Sequence, residues 1–149
     1  MTRSSTAKDA KDARVAKDRS PNATMDIEHV GREIIDSGMK VHSAFGPGLY
    51  ESVYKTCLIY ELRKRGLHVA TEVSIPVIYD GVRLDAKFRV DLIVENCVIV
   101  ELKAVERILD VHDAQLLSHL KLTGHKLGFR INFNVVHLKD GIKRMVNGL

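Results

Sequence analysis

With 149 residues, 45% hydrophobic and 28% charged, the chain has the size and composition of one ordinary soluble globular domain with a real core. Its formal charge of +4 is mostly local: residues 1–25 hold six Lys and Arg against three Asp, so the remainder carries only about +1 and the basic balance alone does not argue for a nucleic-acid partner. No apolar run approaches the ~20 residues needed to span a bilayer. The N-terminus lacks the apolar core of a secretory signal, and two cysteines, Cys57 and Cys97, make no disulfide framework. The expected location is therefore cytoplasmic, with no membrane partner.

Residues 1–24 are Ala, Lys, Asp, Arg and Ser with almost nothing to bury, and read as a disordered basic tail. It reads as a solvated leader, a misassigned start upstream of Met25, or an arm that tethers nucleic acid. Residues 25–149 are expected to form a single domain. A helix is predicted over 26–44, with Ile27, Val30, Ile34 and Val41 on one face. Gly46-Pro47-Gly48 breaks it, and a second helix follows from Leu49 to Arg65, with Val53, Cys57, Leu58 and Leu62 as its apolar positions and Gly66 as its stop.

From Val69 the period changes to two. Val69, Thr71, Val73, Ile75, Val77 and Tyr79 alternate along a strand, and Pro76 marks that strand as an edge or a bulge. Asp80-Gly81 signals a tight turn. The next strand places Leu84, Ala86, Phe88, Val90 and Leu92 on one face and Asp85, Lys87, Arg89 and Asp91 on the other. A turn near Glu95-Asn96 leads to an apolar strand over 97–105. A helix over 110–123 carries Leu116, Leu117 and Leu120, with Gly124 as its stop. A strand from Leu127 to Asn134 follows, and 135–149 remains ambiguous between a strand extension, a short helix and a final strand. The order α-α-β-β-β-α-β implies an α/β, or α+β, mixed sheet with helices on its faces.

One strand departs from its own pattern. Cys97-Val-Ile-Val-Glu-Leu-Lys-Ala-Val105 reads as buried, yet carries Glu101 and Lys103 on a common face. Buried charges are paired, bind metal or face a cleft. Register decides whether Asp91 joins them. A two-residue turn would set Asp91 opposite Val100. A three-residue turn, Glu95-Asn96-Cys97, sets it opposite Glu101, with both side chains on one side. The three-residue turn is predicted, since Asn96 tolerates a left-handed backbone. Two such carboxylates repel unless a cation lies between them. Mg²⁺ takes one or two carboxylates together with waters and phosphate oxygens, and Lys103 beside it would suit phosphodiester hydrolysis. An Asp–Lys or Glu–Lys salt bridge at a strand end explains the spacing equally well. Glu51, in the first turn of the second helix, is either a favourable partner of the helix dipole or a third acid for the cation.

Gly48-x-x-Glu51-x-x-Tyr54, Val90-Asp91, Val100-Glu101-Leu-Lys103-Ala-Val, His112-x-Ala-Gln115-Leu-Leu and Leu122-Thr-Gly124, in that order, resemble the GxxExxY proteins, a branch of the PD-(D/E)XK nuclease superfamily. The resemblance covers roughly 26–147. It implies a restriction-endonuclease-like core and a nuclease that hydrolyses nucleic acid through a metal-activated water; DNA is the expected partner, although no residue chooses it over RNA. It implies Asp91 and Glu101 as ligands of Mg²⁺ (or Mn²⁺), the backbone carbonyl of Leu102 as a further ligand, and Glu51 as a helix-borne acid at the metal. Lys103 would be the catalytic lysine, and Gln115 would orient it or contact substrate. Related sequences often carry a tyrosine one turn after that glutamine; this chain has His119 instead. The alternative is a catalytically silent module that keeps the fold and binds nucleic acid or protein.

Other candidates are weaker. His112 and His119 stand seven apart on one helix, too far for the i, i+4 zinc pair. His112 shares a face with Gln115 and is a candidate to line the cleft. His42, His68, His125 and His137 read as surface residues, and Cys57 as a buried inert thiol. No glycine loop of the ATPase type is present, which excludes a nucleotide-driven motor. Lys87, Arg89, Lys121, Lys126 and Arg130 are candidates to hold a phosphate backbone. Tyr50, Tyr54 and Phe129 are candidates to stack on bases or to fill the core and rim. A homodimer is compatible with cleavage of two strands.

Overall fold

The computed structural model describes residues 26–149; the tail expected at 1–24 lies outside the described residues. Helix α1 spans Ile27–Phe45 and is capped by Asp26, whose side chain accepts a hydrogen bond from the Glu28 N–H at 3.0 Å. Val30, Ile34 and Val41 are buried along the face read from spacing. His42, expected at the surface, is buried one position on, with its Nε2 2.8 Å from the Val135 carbonyl. Helix α2 spans Glu51–Lys64 and buries Tyr54, Leu58 and Leu62, whereas Val53, expected among them, is 37% exposed.

Five strands follow: β1 Val69–Tyr79, β2 Val82–Val94, β3 Val98–Lys103, β4 Leu127–Asn132 and β5 Ile142–Val146. Helix α3, Asp110–Thr123, joins β3 to β4, and a 3₁₀ turn at Leu138–Gly141 precedes β5. The sheet order is β1-β2-β3-β4-β5, antiparallel throughout except for the parallel β3/β4 pair. The predicted order is observed, and the ambiguous tail becomes the 3₁₀ turn and a fifth strand. That strand was hard to read because its residues are only half-buried or exposed.

The sheet separates two apolar layers. On one face, α1 and α2 pack against Leu92, Val94, Val98, Val100, Leu102, Phe129 and Ile131. On the other, Leu116 and Leu120 of α3 pack against Val90, Ile93 and Ile99. Gly128 of β4 allows the close approach of α3. A Cβ there would stand 3.0 Å from Leu116 Cδ1 and 3.2 Å from Leu120 Cδ2.

The β1–β2 hairpin turns at Asp80-Gly81, both with positive φ (56° and 71°), and pairs Tyr79 with Val82 as a two-residue turn requires. β1 is an edge strand, and its register shifts between Pro76 and Ile78. The face expected for β2 needs correction. Leu84 is 43% exposed and Ala86 is exposed, because no helix covers the outer half of the hairpin. Val90 and Leu92 belong to opposite layers. The ladder omits the Glu72–Asp91 pair, where Glu72 takes a left-handed φ of 50°, and simple alternation does not carry across that break.

Candidate active site

The β2–β3 connection fixes the site. Val94 pairs with Val98, Ile93 with Ile99 and Leu92 with Val100, so the turn has three residues, Glu95-Asn96-Cys97. Glu95 and Asn96 both have positive φ, and the Cys97 N–H donates to the Val94 carbonyl at 3.1 Å. The paired ladder ends at Leu92 and Val100, one residue short of Asp91 and Glu101. The two strands separate there. Instead of a backbone carbonyl, the Asp91 side chain completes the pairing: its Oδ2 accepts from the Leu102 N–H at 2.9 Å. The N–H and C=O of a strand residue point to the same edge, so the Leu102 carbonyl also faces the opening beside Asp91. The next carbonyl, that of Lys103, turns the other way and accepts from the Phe133 N–H at 2.9 Å.

The carboxyl groups of Asp91 and Glu101 come within hydrogen-bonding reach of each other. Loss of water and the neighbouring Asp91 charge push the Glu101 pKa up to about 8, partly offset by Lys103. Glu51 opens α2 from an exposed position, close enough to sense both Asp91 and Lys103. Desolvation of its carboxyl and the Asp91 charge raise its pKa. Lys55, one turn along α2, places its Nζ 3.5 Å from Asp91 Oδ1 and also pairs with Glu72. On the α3 side, His119 Nδ1 lies 3.0 Å from Glu101 Oε1, and its ring stacks on Phe88 with centroids 4.6 Å apart. Burial lowers the His119 pKa.

This donor set fits a hard divalent cation. Two carboxylates share a desolvated space that favours a proton on Glu101, or a cation in its stead, and a carbonyl faces the same opening. Among the described residues, no three His, Cys, Asp or Glu side chains form a ready ligand cluster. Glu51, expected at the metal, is near enough for the Asp91 and Lys103 charges to act on its carboxyl. Mg²⁺ commonly keeps several waters and uses only one or two carboxylates, so the pair remains sufficient.

A family model described as the PD-(D/E)XK nuclease superfamily matches residues 28–145. The chain belongs to that superfamily. Its five-stranded mixed sheet flanked by helices is the restriction-endonuclease-like core expected of a member. No curated protein and no solved structure matches the chain. No helix among the described residues is long and apolar enough to cross a membrane.

Several expected contacts of this superfamily member are relocated by the structure. Tyr54 is fully buried and cannot stack on a base. Its hydroxyl donates to the Gly46 carbonyl at 2.6 Å and accepts from the Leu49 N–H at 3.1 Å, while its ring stacks on Phe133. Phe129 is also core. Arg130 is buried, bonded to Asp113 Oδ1 at 2.9 Å and to the Gly141 carbonyl at 2.9 Å. His112 turns back to accept from the Leu109 N–H at 3.1 Å, at the start of α3, rather than lining a cleft. Lys87 and Lys121 are exposed; Arg89 is exposed and pairs with Glu72 at 3.3 Å. Gln115 is exposed, one turn ahead of His119. Spacing placed Lys55 one turn from Glu51 on the same side of its helix, but gave no sign of Glu72 or His119 as neighbours of the acids. The departure from tyrosine at position 119 was the one available signal.

Proposed function

We propose that this protein is a divalent-metal-dependent nuclease hydrolysing phosphodiester bonds, with DNA as the expected substrate and the cytoplasm as its place of action. The observation that carries this reading is the acid pair. Burial and the neighbouring Asp91 charge together push the Glu101 pKa up to about 8, with Lys103 on the same strand. Asp91, Glu101 and the Leu102 carbonyl would hold Mg²⁺ or Mn²⁺, with Glu51 reaching it through water. A cation bound there would polarise the phosphate and lower the pKa of water.

The chain's own groups supply the rest. Lys103, two residues from Glu101 on one strand face, would orient the attacking water and offset the negative charge growing on the phosphate. Exposed Gln115 would contact the same phosphate or orient Lys103. Lys87, Arg89 and Lys121 would hold flanking phosphates without reading sequence. Tyr54 supports a place in the GxxExxY branch, because it ties together the Gly46–Leu49 turn from which Glu51 is presented. A homodimer would bring two such sites to two strands, and light scattering on the full chain tests it.

The deciding experiment incubates plasmid and single-stranded DNA with the protein and Mn²⁺. Cleavage is expected, abolished by EDTA and reduced by at least about 10²-fold in Glu101→Ala and Lys103→Ala. The silent-module reading draws on Lys55, which already neutralises part of Asp91. It would be favoured by DNA binding that survives both substitutions, with no cleavage by the parent.

A further inference from the structure

His119 lies in the apolar stripe of α3. Its neighbours in that stripe, Leu116 and Leu120, are fully buried, and His119 itself is 9% exposed. A polar ring in such a position needs a partner. It finds one in Glu101 Oε1 at 3.0 Å, while Phe88 of β2 covers its face at 4.6 Å with only 19° between the planes. The ring is thus held by two strands, through packing from one and a hydrogen bond to the other. Gly128 of β4 lets α3 lie close on the sheet, with Leu116 and Leu120, on either side of His119 in the stripe, packed over it.

A carboxylate that ligates a metal has two oxygens, and an outer partner on one of them fixes which the metal receives. We infer that His119 is a positioning residue for Glu101: by engaging Oε1 through Nδ1, it fixes the carboxylate orientation and leaves Oε2 for a divalent cation. The inference rests on the metal-site reading above. The Glu101–His119 contact joins α3 to the site, so the helix is a structural part of the acid pair's support as well as a cover for the sheet. Phe88 serves the same end indirectly, by restricting rotation of the imidazole.

The test is Mn²⁺ titration calorimetry on the full chain, with thermal melts to verify folding. His119→Ala is expected to weaken Mn²⁺ binding by about tenfold or more. His119→Phe keeps an aromatic ring to stack on Phe88 without the hydrogen bond, and is expected to be as weak as His119→Ala. His119→Asn returns a polar atom near the Nδ1 position and is expected to recover much of the loss. If His119→Ala does not fold, the Phe and Asn variants carry the comparison. Parental affinity in folded His119→Phe would overturn the inference. Glu101→Gln separates the two levels. If it binds Mn²⁺ like the parent, the metal-site reading itself fails; if it loses binding while His119→Phe does not, only the role of His119 is overturned.

Discussion

Glu101 holds its proton far above the ordinary carboxylate range, and this has a definite pH signature. Its pKa rises from 4.5 to about 8 on folding, so the folded chain binds more protons than the unfolded chain across that interval. Stability without metal should therefore fall as pH rises from about 4.5 to about 8, since the folded state must give up a proton it favours. A cation must displace the same proton, so apparent Mn²⁺ affinity should climb with pH, by up to about tenfold per unit, and level off above about 8. Melting curves and calorimetry across this range check both trends. Affinity that is flat with pH would mean Glu101 is not a ligand.

At the scale of elements, the site depends on how closely α3 lies on the sheet. Gly128→Val would drive a side chain into Leu116 and Leu120, at a cost of about 1–3 kcal/mol. It should lower the melting temperature and weaken Mn²⁺ binding together, because the displaced helix carries His119. Unchanged metal affinity in a folded Gly128→Val protein would show that α3 does not support the acids. The elements themselves were largely legible. α3 is found at 110–123 as its periodicity indicated, and the predicted three-residue turn is present, with Glu95 and Asn96 at positive φ and Leu92 paired with Val100. Features set by distant contacts were not legible. A histidine in an apolar stripe does not reveal which strand will face it. The alternation that should have kept Val90 and Leu92 together fails where the β1–β2 ladder skips the Glu72–Asp91 pair. Tyr54 was ambiguous because an aromatic beside a conspicuous motif looks the same whether it packs inward or stacks outward.

For the whole molecule, net charge says little and placement says more. Lys87 and Lys121 are exposed, whereas Arg89 shares its charge with Glu72 and Arg130 is committed to Asp113. Binding to duplex DNA should weaken as salt rises. Lys87→Ala and Lys121→Ala should each reduce the steepness of log K against log salt by about one, without changing sequence preference. Titrations by fluorescence anisotropy at several salt concentrations measure this; an unaltered slope would remove that lysine from the binding surface. The Asp91 side chain has a consequence of another kind, for descent. By accepting from the Leu102 N–H, it fastens two central strands whether or not any chemistry follows. A lineage freed from cutting nucleic acid could discard Lys103 at small cost to folding, yet would still be pressed to retain Asp91. On the proposed mechanism, an intact aspartate would be a poor badge of a working enzyme, and loss of the lysine would be the more telling sign of retirement.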